Sequence, residues 1–247
     1  MSGDLYTGAM NTGTVVRSRV RDEMVAEIKR LARAQIVRDG AARLSLRAVS
    51  REMGMVSSAI YRYFPSRDHL LTALIIDGYE ALGAAVEEAE ALVARPDLPG
   101  RWRAAAGALR GWALAHPGEY GLLFGTPVPG YAAPSDTIGP AMRYSAVLVA
   151  LLVDIDRAGL GPPPGPAPAP PLATELEVLR ARLDADISDD LILVGVAAWM
   201  TLFGAISLEL FGHLHNVIDA PEVHYAALVD ALGRQLLGTA TPQPVER

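Results

Sequence analysis

Apolar residues recur along this chain at the three- and four-residue spacing of helices. Val20, Met24, Ile28, Leu31 and Ile36 mark a first helix from about Val16 to Asp39, and Gly40 ends it as a residue able to take a positive φ. Ser45 is placed to cap a second helix whose Leu46, Val49 and Met53 share one face. Gly54 stops that helix and permits a sharp turn. A third helix is expected from Ser57 to Phe64, with Ala59, Ile60 and Phe64 inward, closed by Pro65. Ser66 and Asp68 then open a fourth, from Arg67 to about Val93.

The helical pattern continues to the end of the chain. Further helices are expected over Arg101 to Ala115, Glu119 to Phe124, Ser135 to Ala158, Glu175 to Asp184, Ser188 to Phe211 and Glu222 to Leu237. Thr126 to Pro134 reads as a loop, and Gly161 to Pro171, with its seven prolines, as an extended spacer. The fold class is therefore all-α. A tail over 1–15, a small N-terminal helical domain over 16–66, a larger helical domain over 67–238 and a second tail over 239–247 divide the chain.

Composition supports a helical core. Half of the 247 residues are hydrophobic and few are aromatic, so the interior rests on Ala, Leu and Val. Cysteine is absent, which removes disulfides, thiolate nucleophiles and Cys-ligated metals and fits a reducing cytoplasm. His213 and His215, two apart on a helix, point to different faces, so no metal site is expected. No P-loop, dinucleotide fingerprint or nucleophile elbow is present, so neither an enzyme nor a cofactor is expected. The first fourteen residues lack the apolar core of a secretory signal.

The net charge of −6 is unevenly spread. The first seventy residues carry +5 and the remainder −11. Arg17, Arg19, Arg21, Lys29, Arg30 and Arg33 read equally well as phosphate contacts or as an ordinary solvated helix face.

Leu191 to Leu210 is apolar enough to suggest a membrane span. Its Thr201, Ser207 and Glu209, and the absence of a following basic cluster, favour a buried helix of a soluble protein. The alternative reading of the whole chain, a membrane-associated or scaffolding helical protein, rests on this segment and the proline spacer.

The short helices around Gly54 form the layout of a helix-turn-helix. Ser57 and Ser58 stand at the start of the expected reading helix, where hydroxyls meet phosphates or base edges. Arg62 is the residue to read guanine in the major groove. Tyr61 offers its hydroxyl to phosphate, whereas Tyr63 either does the same or packs against the first and fourth helices. Ser45 and Arg47 add phosphate contacts at the second helix, and Arg67 reaches the flanking backbone.

Leu46-Arg47-Ala48-Val49, the Gly54 turn, Ala59-Ile60-Tyr61-Arg62-Tyr63-Phe64 and Pro65-Ser66-Arg67-Asp68 together resemble the DNA-binding region of the TetR family. The resemblance covers about Val16 to Leu74. It departs from the usual pattern at Val56, where a Ser or Thr normally caps the reading helix, so the cap is expected to shift to Ser57. Trp112, His116 and Gly118 resemble the Trp-His-Gly signature of one TetR-like C-terminal group.

That resemblance implies a cytoplasmic transcriptional regulator, most simply a repressor, binding a pseudo-palindromic double-stranded DNA operator as a homodimer. The helices near 188–211 and 222–237 would form the dimer's four-helix interface, which removes the need for a membrane span. A small apolar effector would bind among aromatics of the C-terminal domain. The candidate lining is Trp112, His116, Tyr120, Phe124, Tyr144, Trp199 and Phe203, each of which also reads as plain core.

Overall fold

The computed structural model describes residues 6–183 and 186–238, and the expected C-terminal tail lies outside them. Ten α-helices follow one another among the described residues: α1 (Tyr6–Asp39), α2 (Leu46–Glu52), α3 (Ser57–Ile60), α4 (Arg67–Ala91), α5 (Leu98–Ala115), α6 (Pro117–Phe124), α7 (Ile138–Arg157), α8 (Pro170–Leu183), α9 (Asp189–Leu210) and α10 (Pro221–Leu237). No strand occurs among them.

Two compact units result. The first joins the chain up to Gly78 with Pro117–Thr137, and the second joins Tyr79–His116 with the chain from Ile138 onward. This division falls inside α4, not at Ser66, because the first turns of α4 supply Leu70, Leu71 and Leu74 to the core of the first unit. α6 also belongs there. Glu119 pairs with Arg33 of α1 at 3.3 Å, and a Cβ on Gly118 would come within 2.5 Å of Val37.

The first unit is built on α1. Ile28, Ala32 and Ile36 form its inward stripe and meet Leu46 and Val49 of α2, Ile60 of α3 and Phe64. Gly40 and Gly54 adopt φ of +82° and +65°, the left-handed geometry that a helix stop and a tight turn demand. α1 itself runs back to Tyr6, well before the Val16 start that periodicity marks and into the expected tail. No proline interrupts it there, and extending a formed helix is far easier than nucleating one.

The second unit is a bundle of α5, α7, α9 and α10 with the second half of α4 and α8. α5 and α10 meet through Trp102 Nε1, which donates to the Val229 carbonyl at 2.7 Å, and through the Tyr225 hydroxyl, 3.0 Å from the Ala106 carbonyl oxygen. α7 and α9 meet where Gly195 leaves room for Leu152. Arg101, 1% exposed, joins Glu90 of α4 to Asp154 of α7, the latter at 2.8 Å. α8 starts at Pro170, earlier than expected and within the proline spacer, because proline is tolerated in a helix's first turn. The spacer before it is tied down by Gly161 N–H on the Leu237 carbonyl (3.2 Å) and Gly165 N–H on Asp190 (3.1 Å).

α4, α9 and the 135–157 segment are each long and apolar enough to cross a membrane by length and composition, α9 with a mean hydropathy of 2.2. α9 nevertheless holds Glu209 in a bidentate pair with Arg110 of α5 (2.5 and 2.8 Å), both largely enclosed. Its Leu191, Ile192, Ala198, Leu202 and Ile206 face the bundle, while Val196, Met200, Gly204, Leu208 and Phe211 remain on the surface.

Candidate nucleic-acid interface

α2, the Gly54 turn and α3 present their expected residues in one short run of chain. Ser45 caps α2: its hydroxyl accepts the Ala48 N–H at 3.4 Å, and its own N–H donates to Gln35 Oε1 at 3.2 Å. That leaves Ser45 half-buried and fixed by α1, with Arg47 exposed in the first turn of α2. Ser57 and Ser58 are exposed at the start of α3.

α3 differs from the expectation in two ways. It is a single α-turn, Ser57–Ile60, after which Arg62 and Tyr63 bond back to Ala59 and Ile60 at 3.2 and 2.9 Å as tighter turns. Phe64 N–H then bonds to the Ile60 carbonyl at 3.0 Å, and Pro65, which has no N–H, closes the run. The cap does not shift to Ser57 either. Val56 holds the N-cap position in extended geometry and offers no side-chain acceptor, so α3 begins without a side-chain cap.

Beyond α3, Tyr61 is 42% exposed and Arg62 is exposed beside it. Tyr63 lies half-buried against the hydrophobic core, with the Arg21 guanidinium 5.5 Å from its ring centroid. Its ring thus packs against that core. Arg67 also sits differently from the expectation of a free phosphate contact. One of its terminal nitrogens donates to the carbonyls of Ala41 and Ala42, each at 3.1 Å, bracing the turn that feeds α2.

The charge pattern separates compensated from uncompensated cations. Lys29 and Arg33 share Asp77 at 2.8 and 2.7 Å, Arg30 pairs with Glu27, and Arg38 pairs with Asp39 and Glu52. Hydrogen bonding to Asp39 raises the Arg38 pKa above the usual arginine range. Arg43, Arg47, Arg51 and Arg62 are exposed, and no acidic partner within salt-bridge distance accompanies them among the described residues. Positive charge is therefore open to phosphates along α2 and after α3.

Two family models match the chain: "Bacterial regulatory proteins, tetR family" over residues 28–74, and "Tetracyclin repressor-like, C-terminal domain" over 102–232. The chain belongs to the TetR family. Among its curated relatives are the HTH-type transcriptional regulators Rv1816 of Mycobacterium tuberculosis and Mb1846 of Mycobacterium bovis. Each is 39% identical over 201 residues, covering 79% of this chain and 84% of the relative. The crystal structure of the regulatory protein SCO4313 superposes with a TM-score of 0.72 at 35% identity, over 87% of this chain and 97% of that one. PfmR from Thermus thermophilus, at 19% identity and a TM-score of 0.58, over 85% of this chain and 99% of that one, shares the fold. This TetR-family protein is a DNA-binding transcriptional regulator, and TetR regulators are not a family of enzymes.

Ring contacts join several of the aromatics expected to line an effector site. Trp112, buried, stacks on exposed His116 with centroids 5.2 Å apart, and His116 Nδ1 lies 3.0 Å from the Trp112 carbonyl oxygen at the end of α5. Tyr120 and Phe124 of α6 pair at 5.1 Å within the first unit. Tyr144 of α7 meets Phe203 of α9 at 5.8 Å, and Phe203 meets Trp199 at 5.2 Å. Trp199, 40% exposed, stands at the surface of its unit. Trp112 Nε1 is buried without a hydrogen-bond partner. A recess of about 220 Å³ lined by Pro99, Trp102, Gly233 and Arg234 opens between α5 and α10, and sequence reasoning missed it. Only Gly233 signals it, since a larger residue there would collide with the Trp102 ring.

Proposed function

We propose that this regulator is a cytoplasmic homodimeric repressor that binds a pseudo-palindromic operator and releases it when a small molecule binds its C-terminal unit. The observation carrying the DNA half of this reading is the exposure of Ser57, Ser58, Tyr61 and Arg62, with no acidic neutralisation of Arg62, next to an α2 whose start is held by Ser45 and Arg67. Arg62 takes the base-reading role, bidentate to guanine. Ser57, Ser58, Tyr61 and Arg47 take phosphates, and Ser45, Tyr63 and Arg67 hold the frame.

The two subunits join through the outer faces of α9 and α10, so that a partner covers Val196, Met200 and Leu208. Two half-sites one helical turn apart then meet the two reading segments. The effector is an apolar molecule with a hydrogen-bond acceptor, a group that would satisfy the buried indole N–H of Trp112. It shifts the protein only through unequal affinity for the operator-competent and released states.

Selection of genomic fragments with the purified protein tests this reading. A recurrent inverted repeat, bound far more tightly than scrambled DNA, is expected. Fragments enriched without any shared motif would reject sequence-specific binding. Compounds found by thermal shift and titrated into the operator complex should then weaken it, and ligands that leave operator affinity unchanged would reject the release step.

A further inference from the structure

The inward stripe of α1 does not end where the core ends. Ile36, Ala32, Ile28 and Val25 face the helix-turn-helix, and helical spacing carries the same face on to Arg21 and Arg17. Along that one face the chemistry changes from buried aliphatic to exposed guanidinium.

Arg21 marks where this cationic continuation stands. Its Nη2 lies 3.5 Å from the Arg62 carbonyl oxygen, and its guanidinium covers the Tyr63 ring at 5.5 Å. It therefore borders the segment assigned to base reading. Arg17 sits one helical turn further out, about 6 Å along the axis. Both are exposed, and neither has an acidic partner among the described residues, unlike Arg19, which pairs with Glu23 at 3.0 Å. Arg19 also points to the opposite side of the helix, about 150° from the core stripe by the helical period.

We propose that Arg17 and Arg21 form a second DNA-contact site, which binds backbone phosphates outside the bases read by Arg62 and lengthens the footprint of each subunit. This inference rests on the reading of the chain as a DNA-binding repressor. Its chemistry is ionic, because a guanidinium on a solvated helix gains its attraction for a phosphate from counterion release. Arg21 is held by the Tyr63 face and spends little rotational freedom in docking.

The test uses full-length protein and the duplex that the wild-type chain selects from genomic fragments. Binding is measured across a salt series for wild type, R17A/R21A, R17K/R21K and R19A, with melting curves confirming that each folds. The double alanine variant should lose about 3–4 from the slope of log affinity against log salt, about 0.9 for each of four contacts in a dimer. The lysine variant should keep most of that slope, and R19A should match wild type. Trimming the duplex flanks stepwise should weaken wild type and leave the double alanine variant indifferent.

The site is rejected if R17A/R21A keeps the wild-type slope and the wild-type response to flank trimming. It is also rejected if the lysine variant fails as badly as alanine, because Arg21 would then serve Tyr63 and not the phosphates. If wild type selects no sequence at all, the failure belongs to the proposed repressor function itself. A variant that fails to fold is replaced by R17A alone, which should lose about half of the slope change.

Discussion

Arg62 and Arg67 carry the same guanidinium and use it differently. Arg62 points away from the protein with its donors free, and Arg67 spends one nitrogen on two backbone carbonyls. Replacing Arg62 by Ala should cost about 1–3 kcal/mol of operator affinity and leave binding to unrelated DNA nearly intact, which competition mobility shifts will read. Equal losses on both DNAs would reject Arg62 as the base reader. Replacing Arg67 by Ala should instead lower stability by about 1–2 kcal/mol, since two charge-assisted hydrogen bonds at a partly exposed site are lost. A melting point unchanged from wild type would refute that brace. Residue types and spacing single out Arg62 as a candidate, and the structure leaves it exposed. They could not show that Arg67 folds back onto Ala41 and Ala42, because a carbonyl acceptor has no signature in the sequence.

At the scale of elements, the stops were legible and the lengths less so. Gly40 and Gly54 announce the ends of α1 and α2, and both take positive φ. Gly54 has no atom within 4 Å of the place a Cβ would occupy, so only backbone geometry opposes a side chain there. Gly54→Ala should therefore cost about 1–2 kcal/mol in thermal or denaturant unfolding, and Gly54→Asn less, since Asn tolerates the left-handed region. An alanine variant as stable as wild type would show that the turn can relax. Other features escaped the sequence for physical reasons. α3 gives way after Ile60 to tighter turns that periodicity does not distinguish from a helix, and α8 begins inside a proline run because its first turn needs no N–H donors. Arg101 reads as an exposed helix residue, yet it lies buried between Glu90 of α4 and Asp154 of α7. Only tertiary packing reveals such a pairing. Arg101→Leu should destabilise the second unit by about 3–5 kcal/mol, because it strands carboxylates in a low-dielectric setting. A loss below about 1 kcal/mol would mean that Arg95, which also reaches both acids at 2.8 and 3.1 Å, takes over the pair.

At the scale of the whole molecule, the apolarity of α9 has two explanations with opposite consequences. A membrane helix would lie in lipid, whereas a dimer helix needs one face in its own bundle and the other against a twin. The division of its surface favours the second. Leu202 and Ile206 are fully enclosed, Met200 is 61% exposed on the opposite side, and Glu209 is committed to an internal arginine. Exposed Gly204, with no atom within 4 Å of where a Cβ would stand, leaves room for a second helix to approach closely. The wild-type chain should thus elute from detergent-free gel filtration as a dimer of 26.2 kDa subunits. Met200→Asp buries a carboxylate in that interface and should yield a folded monomer, with unchanged helicity. Because a monomer meets one half-site at a time, it should also lose operator affinity by orders of magnitude while keeping its weak attraction for random DNA. A monomeric wild type, or a Met200→Asp protein still dimeric and fully competent for the operator, would remove α9 from the interface.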